Sequence, residues 1–80
     1  MPLVKKIGAY EFRFYSRGEA GEPAHIHVRQ GRLEAKFWLT PSVHLAKNVG
    51  LSVLQLRQAK AVVEAHTQEI QDAWNRHFGG

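Results

Sequence analysis

A chain of 80 residues makes one small domain, which buries about 60–65% of its unfolded surface and holds together by on the order of 5 kcal/mol. With no cysteine, disulfides and thiolate zinc sites are excluded, which suits a reducing cytoplasm, and no apolar run approaches the ~20 residues of a membrane span. The +4 net charge sits entirely in residues 1–50, where eight Lys/Arg oppose four Glu, while residues 51–80 carry three of each sign.

At the N-terminus, Met1-Pro-Leu-Val-Lys-Lys6 reaches its charges too early for a secretory signal. Val4–Ile7 is a short apolar stretch closed by Gly8. Tyr10–Tyr15 alternates, Phe12 and Phe14 to one side, Glu11, Arg13 and Tyr15 to the other, as in a half-buried strand. Ser16–Pro23 is rich in Gly and reads as loop.

Ala24–Gln30 alternates again, with Ala24, Ile26 and Val28 on one face and His25, His27 and Arg29 on the other. Leu33–Leu39 repeats this, with Leu33, Ala35, Phe37 and Leu39 inward and Glu34, Lys36 and Trp38 outward. A two-residue turn joins them, at Gln30-Gly31 or at Gly31-Arg32. The two registers differ by two residues and keep every side chain on its face. After Thr40-Pro-Ser42, Val43–Ala46 forms a last short strand and Lys47–Gly50 a turn.

The helix start is the best-specified local feature. Ser52 is an N-cap, Gln55 completes a capping box, and Leu51 and Leu56 are placed as a hydrophobic staple. Leu56, Ala59, Val63, His66, Ile70, Ala73, Trp74 and His77 form one apolar stripe, and Gly79-Gly80 a C-cap-like tail. A break at His66, with Thr67 capping a second helix, is the alternative. The unbroken stripe favours one helix over 52–78. The expected fold is α+β: three or four antiparallel strands in the sheet part, residues 1–46, packed against one long C-terminal helix.

His25 and His27 are the residues that can carry chemistry. Two positions apart on a strand, they project from the same side, among Arg13, Tyr15, Arg29, Lys36 and Trp38. Such a face suits an anionic partner. Imidazoles beside cations also suit metal-independent RNA cleavage, with His25 and His27 as acid and base. With Glu34 they would suit a divalent metal, but a third ligand is not placed, so neither a metal nor a cofactor is expected. Outward Trp38, Tyr15 and Tyr10 either stack on bases or pack beneath other groups. His66 reads as a hydrogen-bonded residue of the core boundary. There is no phosphate-binding loop, nucleophile elbow or dinucleotide fingerprint.

The chain resembles the bacterial domain-of-unknown-function 4160 family over nearly its whole length. The likeness rests on three features. They are the aromatic strand Tyr10-Glu-Phe-Arg-Phe-Tyr-Ser16, the Pro-x-His-x-His-Val signature as Pro23-Ala-His-Ile-His-Val28, and the His…Glu…Trp tail in Glu64–Trp74. The matching positions are His25, His27, His66 and Trp74. The resemblance implies a member of a toxin–antitoxin-type pair, encoded beside another small protein, and no established catalytic role. The expectation is a cytoplasmic binding module that contacts nucleic acid or a small protein partner through Arg13, Tyr15, His25, His27, Arg29, Lys36 and Trp38, away from membranes. The alternative is a small ribonuclease, and a homodimer through an edge strand is open.

Overall fold

The computed structural model describes residues 3–15 and 21–79. Most of the expected loop, residues 16–20, and both chain ends lie outside the described residues. Five strands precede two helices: β1 (Leu3–Ile7), β2 (Tyr10–Arg13), β3 (His25–Gln30), β4 (Leu33–Trp38), β5 (His44–Val49), α1 (Val53–Ala65) and α2 (Thr67–Phe78). The strands form one antiparallel sheet in chain order. The α+β class is as the alternation predicts, with five strands in place of three or four and two helices in place of one.

The central hairpin turns at Gly31-Arg32, so Gln30 pairs with Leu33, His27 with Lys36 and His25 with Trp38. Gly31 takes φ +60° at the first turn position, a conformation that glycine adopts without steric cost. The second of the two registers is therefore the one formed, and the face of every residue is unchanged.

The fifth strand departs from the sequence reading. Lys47, Asn48 and Val49 are strand, not turn, opposite Lys36, Ala35 and Glu34. The register slips beside them, since Lys36 faces Lys47 while Phe37 faces Leu45. Ala46 is thus the extra residue of a bulge, which breaks the two-residue period by which a strand is recognised. Asn48, a weak strand former, uses its side chain at the exit. Its amide donates to Leu51 O (2.9 Å), and its Oδ1 accepts from Leu51 N (3.0 Å).

The helix start follows its sequence. Ser52 Oγ accepts from Gln55 N and Gln55 Oε1 from Ser52 N. Gln55 also donates to Gln30 Oε1 (2.9 Å), tying this end to the central hairpin. The single long helix is corrected: it divides at His66, whose backbone leaves the helical region (φ −119°, ψ 20°). Thr67 is not the cap. Its hydroxyl donates backward to Val63 O (2.9 Å) and Glu64 O (3.0 Å), a local bond that competes with the helical ladder and bends it.

Both helices bury their stripe against one sheet face. Phe12, Phe14, Ile26, Val28, Ala35, Phe37 and Leu39 meet Ala59, Val63, Ile70 and Trp74 in one core, with Leu56 at its margin. Trp74 stands edge-on to Phe14, ring centroids 5.4 Å apart. Tyr10 belongs to this side as well. Its hydroxyl donates to Gln58 on α1 (3.1 Å), so it is not part of the opposite face. His77, at the end of the stripe, is exposed and stacks on the Phe14 ring.

Candidate binding site on the open sheet face

The face away from the helices is organised in rows across the strands. One row runs Arg13, His27, Lys36, Lys47 on β2 to β5. At about 4.8 Å per strand, it is a line of basic side chains some 14 Å long. The next row is Glu11, Arg29, Glu34, Val49, and another brings together His25, Trp38 and His44.

Glutamates from within this face and from its rim interlock with the basic row. Arg13 Nε donates to Glu11 (3.0 Å), and Lys36 Nζ bonds Glu22 at 2.7 Å. Glu34 is the hub. Its Oε1 accepts from the Tyr15 hydroxyl and lies 3.6 Å from Arg29 Nε, and its Oε2 lies 3.4 Å from His27 Nδ1. Tyr15 stacks on His27 with centroids 3.9 Å apart, and Lys36 Nζ sits 4.4 Å over the Trp38 ring. Most of the cations meant for a partner are thus matched by carboxylates, and the aromatic faces carry a neighbour.

Burial of the two histidines corrects the sequence reading. They leave the sheet on its open side, but they are not surface groups: His25 is 0% exposed and His27 7%. His25 starts β3, where the C-terminal helix reaches the end of the sheet. Its ring lies 5.2 Å from His27, 5.4 Å from Trp38 and 4.9 Å from Trp74. Its Nδ1 lies 2.9 Å from Pro23 O. A carbonyl only accepts, so Nδ1 carries the proton and donates. Alternation decides the direction in which a side chain leaves the strand. Exposure depends on what covers it, and here large rings on adjacent positions cover one another.

A cleft of about 300 Å³ opens beside His27, lined by Tyr15, His27, Glu34, Ala35, Lys36, Lys47 and Val49. Of the seven expected site residues, Tyr15, His27 and Lys36 line it. Arg29 reaches it through Glu34, and Arg13 neighbours His27 in the row. Trp38 packs between His25 and Lys36, and His25 lies behind the wall. Lys47 and Val49 are the additions, hidden in sequence by the bulge. Glu22 is another, hidden in a stretch that reads only as loop. Among the described residues no cluster of three His, Asp or Glu can hold a metal ion. His66 stands elsewhere, bonded to Glu69 (3.2 Å), which pairs with Lys5 of β1 at 3.1 Å.

Among the described residues no helix is long and apolar enough to cross a membrane. No curated protein and no solved structure matches the chain. A family model, Domain of unknown function (DUF4160), matches residues 9–75, which takes in β2 through most of α2 and every residue that lines the cleft. The chain therefore belongs to the DUF4160 family.

Proposed function

We propose that this domain is a non-enzymatic binding module that meets a small protein partner through the open sheet face, as one half of a toxin–antitoxin-type pair in the cytoplasm. One observation carries the reading: Tyr15, His27 and Glu34 are already fixed to one another, and Lys36 to Glu22, around an open cleft. A surface fixed in advance loses little side-chain freedom on binding, and Tyr, Trp and Arg are the residues that dominate protein interfaces.

A protein partner suits this face better than nucleic acid. Phosphates would have to displace Glu11, Glu22 and Glu34 from their cations, and bases would need the ring faces that His27 and Lys36 occupy. The ribonuclease alternative asks both imidazoles to reach substrate, and His25 has no exposed surface.

The test is purification from the native host with the co-purifying protein identified, followed by charge reversal on each side of the domain. Lys36→Glu is expected to weaken the complex at least tenfold and Arg57→Glu, on α1, to leave it unchanged. The opposite order overturns the reading. A short RNA is expected to bind weakly and to stay intact across pH 5–8. Tight binding that falls steeply with salt, or cleavage with a bell-shaped pH profile lost in His27→Ala, would replace it with the nucleic-acid or ribonuclease version.

A further inference from the structure

The two edges of the sheet are protected unequally. β1 carries adjacent Lys5 and Lys6 and a register shift between Leu3 and Lys5, devices that discourage a further strand. β5 is the other outer strand, and all six of its residues are exposed. Its two large aliphatic residues lie on opposite faces. Leu45 (44% exposed) is in the Phe37 row on the helix side, and Val49 (51%) is in the Glu34 row on the open side.

Between them stands Lys47, directly opposite Lys36. Like charges facing each other across a strand pair are unfavourable. Lys36 is offset by Glu22, whereas Lys47 has no ion pair among the described residues. Both lysines line the cleft. The next position in this row, one strand spacing beyond Lys47, is where a carboxylate would complete the alternation of charge.

We propose that β5 receives an extended, acidic segment of the partner protein as a sixth strand, with a carboxylate beside Lys47 and aliphatic side chains against Val49 and Leu45. This deepens the binding reading above and rests on it. Main-chain bonds to the outer edge would give affinity and the alternate side chains selectivity. A second copy of this chain fits less well. β5 has no acidic residue, so self-pairing brings another lysine to the edge and no carboxylate.

The probe is a blocked peptide, Thr-Thr-Val-Thr-Glu-Val-Thr, whose Val, Glu and Val fall opposite Val49, Lys47 and Leu45, with its Glu→Lys counterpart, added to the 80-residue chain labelled with nitrogen-15. The acidic peptide is expected to bind, to slow amide exchange along His44–Val49, and to exceed the basic peptide by at least tenfold. Lys47→Glu, at an exposed position, is expected to invert that preference. No binding at millimolar acidic peptide, equal binding of both peptides, or unchanged β5 amides would overturn the proposal. So would concentration-dependent dimerisation that protects β5 without peptide, or an RNA that outcompetes the acidic peptide at Lys47. If Lys36→Glu releases the co-purified partner while β5 amides stay unprotected in the complex, the strand docking fails and the binding face stands. If neither responds, both fall.

Discussion

The sheet buries side chains on both of its faces, by different means. On the covered face Phe12, Phe14, Ile26, Val28 and Phe37 are sealed by two helices, and shape and apolar area do the work. On the open face, among the described residues, no helix packs along the strands, and only Trp74 of α2 reaches its end. His25 and His27 are nonetheless as buried as core residues, because Tyr15, Trp38 and Trp74 press against their rings and Glu34 holds the edge. A polar sheet face can thus be solvent-facing by alternation and interior by packing. The covered face should tolerate no loss of volume, and the open face no loss of a hydrogen-bond partner.

The largest effect belongs to the covered face. Phe37→Ala removes a wholly buried ring from the centre of the sheet and should cost about 3–5 kcal/mol. In a domain of this size that consumes most of the stability, so the urea midpoint should fall toward zero. A loss near 1 kcal/mol would mean that the helices follow the shrinking sheet and that this face is not closely packed.

His25 sharpens the contrast. His25→Phe keeps a ring among His27, Trp38 and Trp74 but gives Pro23 O no donor, and should cost about 1–3 kcal/mol. His25→Ala adds the lost volume and should exceed it. Equal stability of His25→Phe and the parent in urea denaturation would show that this position is apolar packing like that of the other face.

Why the architecture was legible and the site only half so follows from particular residues. Strict alternation in Ala24–Leu39 settles the faces whichever turn is used. The Ser52–Gln55 reciprocal bonds mark the helix start within one turn. Local chemistry of this kind is written in adjacent residues. What was not legible depends on groups distant in the chain. The interior position of His25 comes from Trp74, forty-nine residues on, meeting it at the sheet end. The membership of Lys47 in the cleft comes from a bulge that cancels its periodicity. The division at His66 comes from one hydroxyl turning backward within an unbroken apolar stripe.

Glu34 tests whether the open face is a network or a set of pairs. Glu34→Gln keeps the shape while removing the charge shared by Tyr15, His27 and Arg29. The expected loss is about 1 kcal/mol, since the group is partly exposed and screened. Near-ultraviolet circular dichroism should report a loosened Tyr15 with the secondary structure intact. An unchanged tyrosine signal would mean that the Tyr15–His27 stack holds itself without the carboxylate.

The smallest effect lies at the rim of the covered face, where Lys5 of β1 and His66 at the helix break both reach Glu69. The hydrogen bond from Lys5 is the main cause that holds the Glu69 carboxyl below the ordinary glutamate range, and His66 adds to it. A carboxylate whose proton affinity is lowered by folding stabilises the fold when ionised in both states. That contribution is complete above the ordinary range and is lost as pH falls through it to the lower folded value. Glu69→Gln should therefore melt slightly below the parent at pH 7, and the two should converge in acid. Added salt should narrow the gap at neutral pH, because the carboxylate is solvent-exposed and screened. A gap that persists in acid, or that ignores salt, would assign the effect to packing at the His66 bend instead of to charge, and would make the rim of the covered face resemble the interior of the open one.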